Sequence, residues 1–387
     1  MSEYFMTDKP IFFVFPINGD CVNERDGEKT DRGISFTAKV SAPADHEISI
    51  CGKKAEFDGE YFFAKISVFG YRNTLTAKDE TSGEESKIAV YYLPDAMKKF
   101  RLSSDDNILF LQDITKNKDV YRSIFENPYL AIYKKAHDLY GAKVHLNLFY
   151  AFPSDHKNFA DKSRGDFDLS MMTDKFKDEF IANSDWLKLS FHSLTENPPK
   201  PYQFATAEKI TEDCIKVCRE IIRFAGKECL SDATTVHFGE ANKECVRALR
   251  SMGMKALTGY FEHSPKGEPF VAYYAPDDLI DHVGERDFWY DTDEDIMFGR
   301  IDLVLNQKTL EWIMNEMHNI LENPTRSGFV SIMIHEQYFY EDYSAYRPDF
   351  EERVLHPCKL LFENGYTGAH VCEVIEEKPH SAYDLFK

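Results

Sequence analysis

The stretch "WLKLSFHSLTENPPKPY", residues 186–202, carries an apolar run into His192, Ser193 and Glu196 and then into a proline-rich loop. Imidazole, hydroxyl and carboxylate at the end of a buried strand is an arrangement enzymes use, because the scaffold fixes the strand end while the loop reaches a ligand. A local cap, with Ser193 or Thr195 bonding the loop backbone and His192 serving as a wall residue, accounts for the same letters. Other stretches end alike. Reading polar residues at the ends of apolar runs gives Gln112 and Asp113 after "NILFLQDI", His237 in "TTVHFG", and His335 with Glu336 in "GFVSIMIHEQYF". Imidazole and carboxylate together suit zinc, iron, manganese or cobalt, and two or three protein ligands leave open positions for a reacting water.

These residues need elements that bring them together. Residues 1–95 read as short strands between turns: "GISFTAKVSA", "EYFFAKISVF", "RNTLTAKD" and "SKIAVYYLP" alternate or cluster β-formers, with Asp-Gly, Phe-Gly and Ser-Gly turns between runs. The expectation is a small all-β sandwich. From residue 96 to 387 strands alternate with amphipathic helices, among them "TAEKITEDCIKVCREIIRFAG" and "PDFEERVLHPCKLLFENG". That alternation implies crossovers and a parallel sheet. The expected fold is α/β: a distorted (β/α) barrel of seven or eight units behind the sandwich, closing with a strand at "GAHVCEV". The segment 260–306 is less regular and reads as an insertion at the working edge.

Composition narrows the partners. The chain has 387 residues and a formal charge of −20 spread along its length, a field that repels phosphate backbones and anionic headgroups. Nucleic acid and membranes are therefore not expected partners. Eight cysteines are scattered without zinc-ribbon spacing, which points to reduced thiols; Cys214 and Cys218 share a helix face. The N-terminal residues show no basic leader or cleavage site, so the expected location is cytoplasmic. Phe238, Tyr202, Trp289 and Tyr338 lie near the strand ends and could pack on the C–H faces of a sugar, although 14% of the chain is aromatic and many such rings belong to a core. The acidic run "DTDEDI", 291–296, lacks the spacing and glycine of an EF-hand and reads as a solvated loop.

The order and content of the strand ends from about residue 100 to 375 resemble the polysaccharide deacetylase family, the NodB-homology or carbohydrate esterase family four domain. Residues 48–79 likewise resemble the strand–turn pattern of immunoglobulin-like modules on bacterial carbohydrate enzymes. The family's first motif, Thr-Phe-Asp-Asp-Gly, is matched to "FLQDI", which implies Asp113 as a metal ligand and Gln112 where the family has its general base. The His-Ser/Thr-x-x-His motif is matched to "HSLTE", implying His192 as ligand and Glu196 in place of the second histidine. "TVHFG" echoes the end of the third motif, with Thr235 where the arginine partnering the base would stand, and "IMIHE" matches the last motif, implying His335 as general acid. The resemblance implies a divalent metal, zinc first and manganese, cobalt or nickel as alternatives, held by Asp113, His192 and Glu196. It also implies a carbohydrate substrate whose acetyl groups are hydrolysed, with the base drawn from His237, Glu240 or Glu336 because an amide cannot accept a proton. Two other readings stand beside it: a glycan-binding, non-hydrolytic protein that has lost the base at Gln112, and a glycoside hydrolase using Glu196 and Glu336.

Overall fold

A computed structural model describes residues 3–5, 7–153, 156–264 and 266–375. The last part of the expected 96–387 unit, residues 376–387, lies outside the described residues. In the first ninety-odd residues two sheets of five strands form. Alternation drives this: along Gly33–Ser41, Ile34, Phe36, Ala38 and Val40 are buried while Thr37 is exposed, and Phe62–Phe69 repeats the pattern beside it in antiparallel register. The inward residues of both sheets meet in one apolar cluster that includes Ile34, Phe36, Ile66 and Val68 from one sheet and Ile50, Leu75, Ile88 and Val90 from the other.

From residue 99 the chain is mixed α/β. The first parallel strand, β1, is Lys99–Asn107, followed at once by helix α1, Leu109–Lys116. Then come α2 (Pro128–Tyr140), β2 (Val144–Phe149), β3 (Leu187–Ser193), α3 (Ala207–Ala225), β4 (Ala233–Thr234), α4 (Lys243–Ser251) and β5 (Ala256–Gly259). The antiparallel β6 (Phe288–Asp291) and the parallel β7 (Ile296–Arg300) and β8 (Leu303–Val304) precede α5 (Leu310–Glu322), β9 (Phe329–His335) and α6 (Phe350–Glu363). Helix α3 shows why the helices form. Thr206 caps it by accepting from the Lys209 N–H, and Ile210, Cys214, Val217, Cys218, Ile221 and Phe224 recur every three or four residues on the buried face. Cys214 and Cys218 are part of that face, and all eight cysteines are free thiols.

The strands form two sheets rather than one closed barrel. One runs β3-β2-β1-β9-β8, all parallel, with Thr367–Gly368 added beside β1; the other runs β4-β5-β7-β6. No ladder closes them into a ring among the described residues; they meet through a bridge between Leu189 and Leu230 and through the chain itself where β7 passes into β8. Strand β4 is only two residues long, because the chain turns at His237 instead of continuing in the sheet. The segment 260–306 is also more than an insertion, since β7 and β8 within it belong to the parallel sheets. "GAHVCEV" is not a closing strand: pairing stops at Gly368, and Val371–Val374 is a short helix. Among the described residues no helix is long and apolar enough to cross a membrane.

Candidate metal centre at the strand ends

The C-terminal ends of β1, β3, β8 and β9, and the turn after β4, open on one cavity of about 290 Å3. It is lined by Asp105, Asp106, His192, Glu196, Thr235, His237, Phe238, Tyr260, Asn306, His335, Gln337 and Tyr338, together with an apolar wall. Asp106, His192 and His237 each present one ligand atom to a common point. His192 Nε2 lies 3.1 Å from Asp106 Oδ1, His237 Nδ1 lies 3.4 Å from the same oxygen, and the two ring nitrogens are 3.1 Å apart.

The opposite nitrogens decide the chemistry. His192 Nδ1 is 2.5 Å from the Thr235 carbonyl oxygen and His237 Nε2 is 3.0 Å from that of Glu196, so in the neutral rings both of those nitrogens carry the proton. The facing nitrogens then hold lone pairs, aimed at each other and at a carboxylate. Three Lewis bases converging in this way offer a site that could hold a cation. Histidines that give their second N–H to a backbone carbonyl are the usual support of a metal site. The three separations also match the roughly 3.3 Å between ligands that sit about 2.0–2.1 Å from a tetrahedral metal. Burial would raise the Asp106 carboxyl, but the two histidines hold it well below the usual carboxylate range. Burial pulls the His192 ring down, and the adjacent Asp105 and Asp106 carboxylates more than reverse that, raising it. Gln337 donates to the other Asp106 oxygen at 2.7 Å and fixes its orientation.

Asp105 precedes Asp106 on β1 and accepts from Asn147 Nδ2 at 2.5 Å. Beneath it on the same face of the strand is Arg101, fully buried and bonded only weakly, to Ser331 Oγ at 3.3 Å and His145 Nδ1 at 3.4 Å. Burial pushes its guanidinium down to about 10, with Asp105 pulling the other way. Across the cavity, His335 Nδ1 is 2.9 Å from Asn306 Oδ1, an acceptor, which leaves Nε2 as the unprotonated nitrogen.

The structure relocates several of the residues singled out from sequence. Gln112 and Asp113 are not at a strand end, because "ILFLQDI" is helix α1. The Gln112 amide donates to the Arg164 and Gly165 carbonyls, and the Asp113 carboxylate accepts from Asn117, Tyr121 and Asn127 at 2.9, 2.9 and 2.7 Å. The strand is the more polar "KFRLSSDDN", and its Asp105-Asp106 pair occupies the position expected of 112 and 113. Glu196 lines the cavity, yet its carboxylate pairs with His156 and its carbonyl, not its side chain, touches the histidine cluster. Glu336 is fully buried and caps α1: its oxygens accept from the N–H groups of Ile108, Leu109 and Phe110 at 2.5, 2.9 and 2.6 Å and from the Tyr340 hydroxyl at 2.8 Å. Burial pushes its carboxyl up to about 7 against those donors. Glu240 pairs with Lys200 at 3.0 Å. Tyr202 is fully buried with its hydroxyl on Asp213, and Trp289 is buried against Phe298 with its N–H on the Asn18 carbonyl. Neither ring lines the cavity; Phe238, about 44% exposed, and Tyr338 do.

The acidic run 291–296 is the turn between β6 and β7, in which Asp291 accepts from the backbone of Asp293 and Glu294. Reading the sequence missed Asp105, Asp106, Asn147 and Asn306. The signal for the first two was an adjacent acidic pair, which "QD" cannot match.

No protein-family model matches the chain, and no curated protein matches it. Among solved structures, a wild-type CE4 family pseudoenzyme from Bacillus anthracis aligns over 80% of this chain and 85% of that chain, at 10% identity and a TM-score of 0.33. A mutant of that pseudoenzyme with restored enzymatic activity aligns over 80% and 88%, at 11% identity and a TM-score of 0.33. A putative alpha-galactosidase/melibiase from Bacteroides fragilis aligns over 65% and 53%, at 11% identity and a TM-score of 0.19. What the site does is argued from its own geometry: a mixed α/β scaffold with an Asp-His-His cluster at a strand-end cavity.

Proposed function

We propose that this chain is a metal-dependent hydrolase that removes an acyl group from a carbohydrate, with Asp106, His192 and His237 as its metal ligands. The observation that carries this is the convergence of two facing ring nitrogens on a carboxylate, each ring having its other nitrogen against a backbone carbonyl. A divalent metal, zinc first on its preference for nitrogen and carboxylate ligands, would supply Lewis acidity toward a carbonyl and a more acidic water. The protein's own residues do the rest. Asp105, oriented by Asn147 and next to a ligand, is the group placed to take a proton from the attacking water. His335, its Nδ1 proton committed to Asn306, is placed across the cavity so that the ring, once Nε2 has taken up a proton, can pass that proton to the leaving group. Phe238, Tyr260 and Tyr338 offer ring faces for a sugar.

Asp105 at the end of β1 supports the hydrolytic reading over that of a binding protein that has lost its base. The two-carboxylate glycosidase reading loses its second acid, since Glu336 is occupied by the α1 backbone. Zinc titration of the chelated protein, by calorimetry, tests the ligand set. Asp106→Asn and His237→Ala should each weaken binding 100-fold or more because so few protein ligands are present, whereas Asp113→Ala should leave it unchanged. Unaltered affinity in His237→Ala would refute the assignment.

A further inference from the structure

The inward face of the two sheets is mostly polar: Arg101, Ser103, His145, Asn147, Ser190, Thr234, Thr258 and Ser331 are all buried. One patch departs from this. Ile301, at the end of β7, Val304 of β8 and Met333 of β9 form an apolar cluster separate from the main cores, with Tyr260 packed against it. All four line the cavity that contains the Asp106, His192 and His237 cluster, and Val271 lines that cavity as well. The cavity is thus two-sided, with Asp105, Asp106, His192, His237 and His335 around its reacting end and aliphatic side chains along another wall.

A methyl group would cover only one of these side chains. Several aliphatic side chains grouped in the lining of a cavity of about 290 Å3 suit a chain of several carbons. Resting on the hydrolase reading above, we propose that the acyl group this site selects is longer than acetyl, with its alkyl tail on Ile301, Val304, Met333 and Val271. In the reaction the water oxygen bonds to the acyl carbon and the bond from that carbon to the sugar nitrogen breaks. The nitrogen keeps the electron pair and takes a proton, and the acyl group leaves as a carboxylate. The tail touches no reacting atom; it sets which substrate is held in register. Each buried methylene should improve binding about fourfold until the wall is covered, so hexanoyl should exceed acetyl by roughly 200-fold.

The test is a ladder of N-acetyl-, N-butyryl- and N-hexanoylglucosamine. Its first arm measures binding to the chelated protein, where no hydrolysis is needed; its second measures kcat/KM on the zinc-loaded protein. Affinity should rise with chain length. Val304→Phe, which fills the slot, should flatten the ladder while zinc affinity stays at the parent value as evidence of folding. Met333→Gln, close in volume but polar, should lower its slope and provides a second variant should the first not fold. Affinity that is flat or falls from acetyl to hexanoyl would overturn the proposal. A rising binding ladder without turnover would keep the acyl slot and overturn the hydrolase reading instead.

Discussion

Replacing Glu336 by glutamine separates a structural carboxylate from a catalytic one. The side chain follows His335 at the end of β9, yet it points into the start of α1, where no side chain of the N-cap residue Ile108 satisfies the first amides. One carboxylate oxygen accepts from Ile108 and Leu109, the other from Phe110 and the Tyr340 hydroxyl. An amide in that place must direct its NH2 group at one pair of donors. If it faces Phe110, the tyrosine hydroxyl can rotate to accept but the backbone N–H cannot. That orphaned N–H costs about 1–3 kcal/mol. The helix N-terminus favours the charge, but burial outweighs it and raises the carboxyl, so losing the charge adds no further cost. The expected loss is therefore about 1–3 kcal/mol, to be read from urea unfolding followed by tryptophan fluorescence at pH 8, above the value near 7 to which burial pushes this carboxyl. The junction of β1 and α1 also carries Asp105 and Asp106, so zinc affinity should fall as well, though less than on loss of a ligand. A Glu336→Gln protein within 1 kcal/mol of the parent, with turnover abolished and zinc binding intact, would refute the capping argument and return Glu336 to the reaction.

Asp113→Ala should cost about 1–3 kcal/mol in the same unfolding assay, because Asn117, Tyr121 and Asn127 lose their shared acceptor. Gly19→Ala should leave little folded protein in a thermal melt: its φ is +89° and a Cβ there would overlap the Tyr290 carbonyl oxygen, at the seam where the N-terminal sheets meet β6. Asp79 should shape the acid limb of stability. Burial opposes ionisation there, but His46 and the N–H groups of the following turn prevail and hold the carboxyl down to about 2, so its contribution is present above the unfolded value near 3.8 and disappears as the pH falls toward 2. Asp79→Asn should flatten that limb by an amount on the order of 1 kcal/mol after solvent screening, measured as urea midpoint against pH.

Much of the element order was legible, for a physical reason. Strands such as Val144–Phe149 and Leu187–Ser193 place an apolar residue at every second position, with His145, Asn147 and Ser190 between them, and the helices that cover them repeat their apolar residues every three or four positions, as α3 and α4 do. Apolar density misled at the first parallel strand. "KFRLSSDDN" alternates Phe100, Leu102 and Ser104 with Arg101, Ser103 and Asp105, since one face meets the core and the other the polar interior; the apolar run that stands out, "ILFLQDI", is the helix behind it. Closure into a barrel was not legible because it depends on strand lengths that pattern does not set. β4 ends after two residues, where Thr234 turns its hydroxyl to the Phe191 carbonyl and the chain leaves the sheet.

That early departure is also what makes the site. Had β4 continued, His237 would occupy a ladder position. Instead the chain turns through Phe238 at a φ of +62°, a conformation a bulky residue rarely adopts, and this sets the His237 ring against His192, with a ring-centroid separation of 4.9 Å. The Glu196 carbonyl takes the far N–H of His237, so the loop after β3 and the turn after β4 are locked together across the histidine pair. The motif resemblance implied His192 and Glu196 as two ligands, but residues 194–197 form an irregular loop, and the Glu196 carboxylate pairs with His156 instead. A third member of the Asp-His-His cluster supplied by a neighbouring strand end, forty-five residues from His192 in the chain, leaves no short motif behind. Its mark in the fold is a ring that donates one N–H to a backbone carbonyl and turns its other nitrogen to a second histidine and a carboxylate.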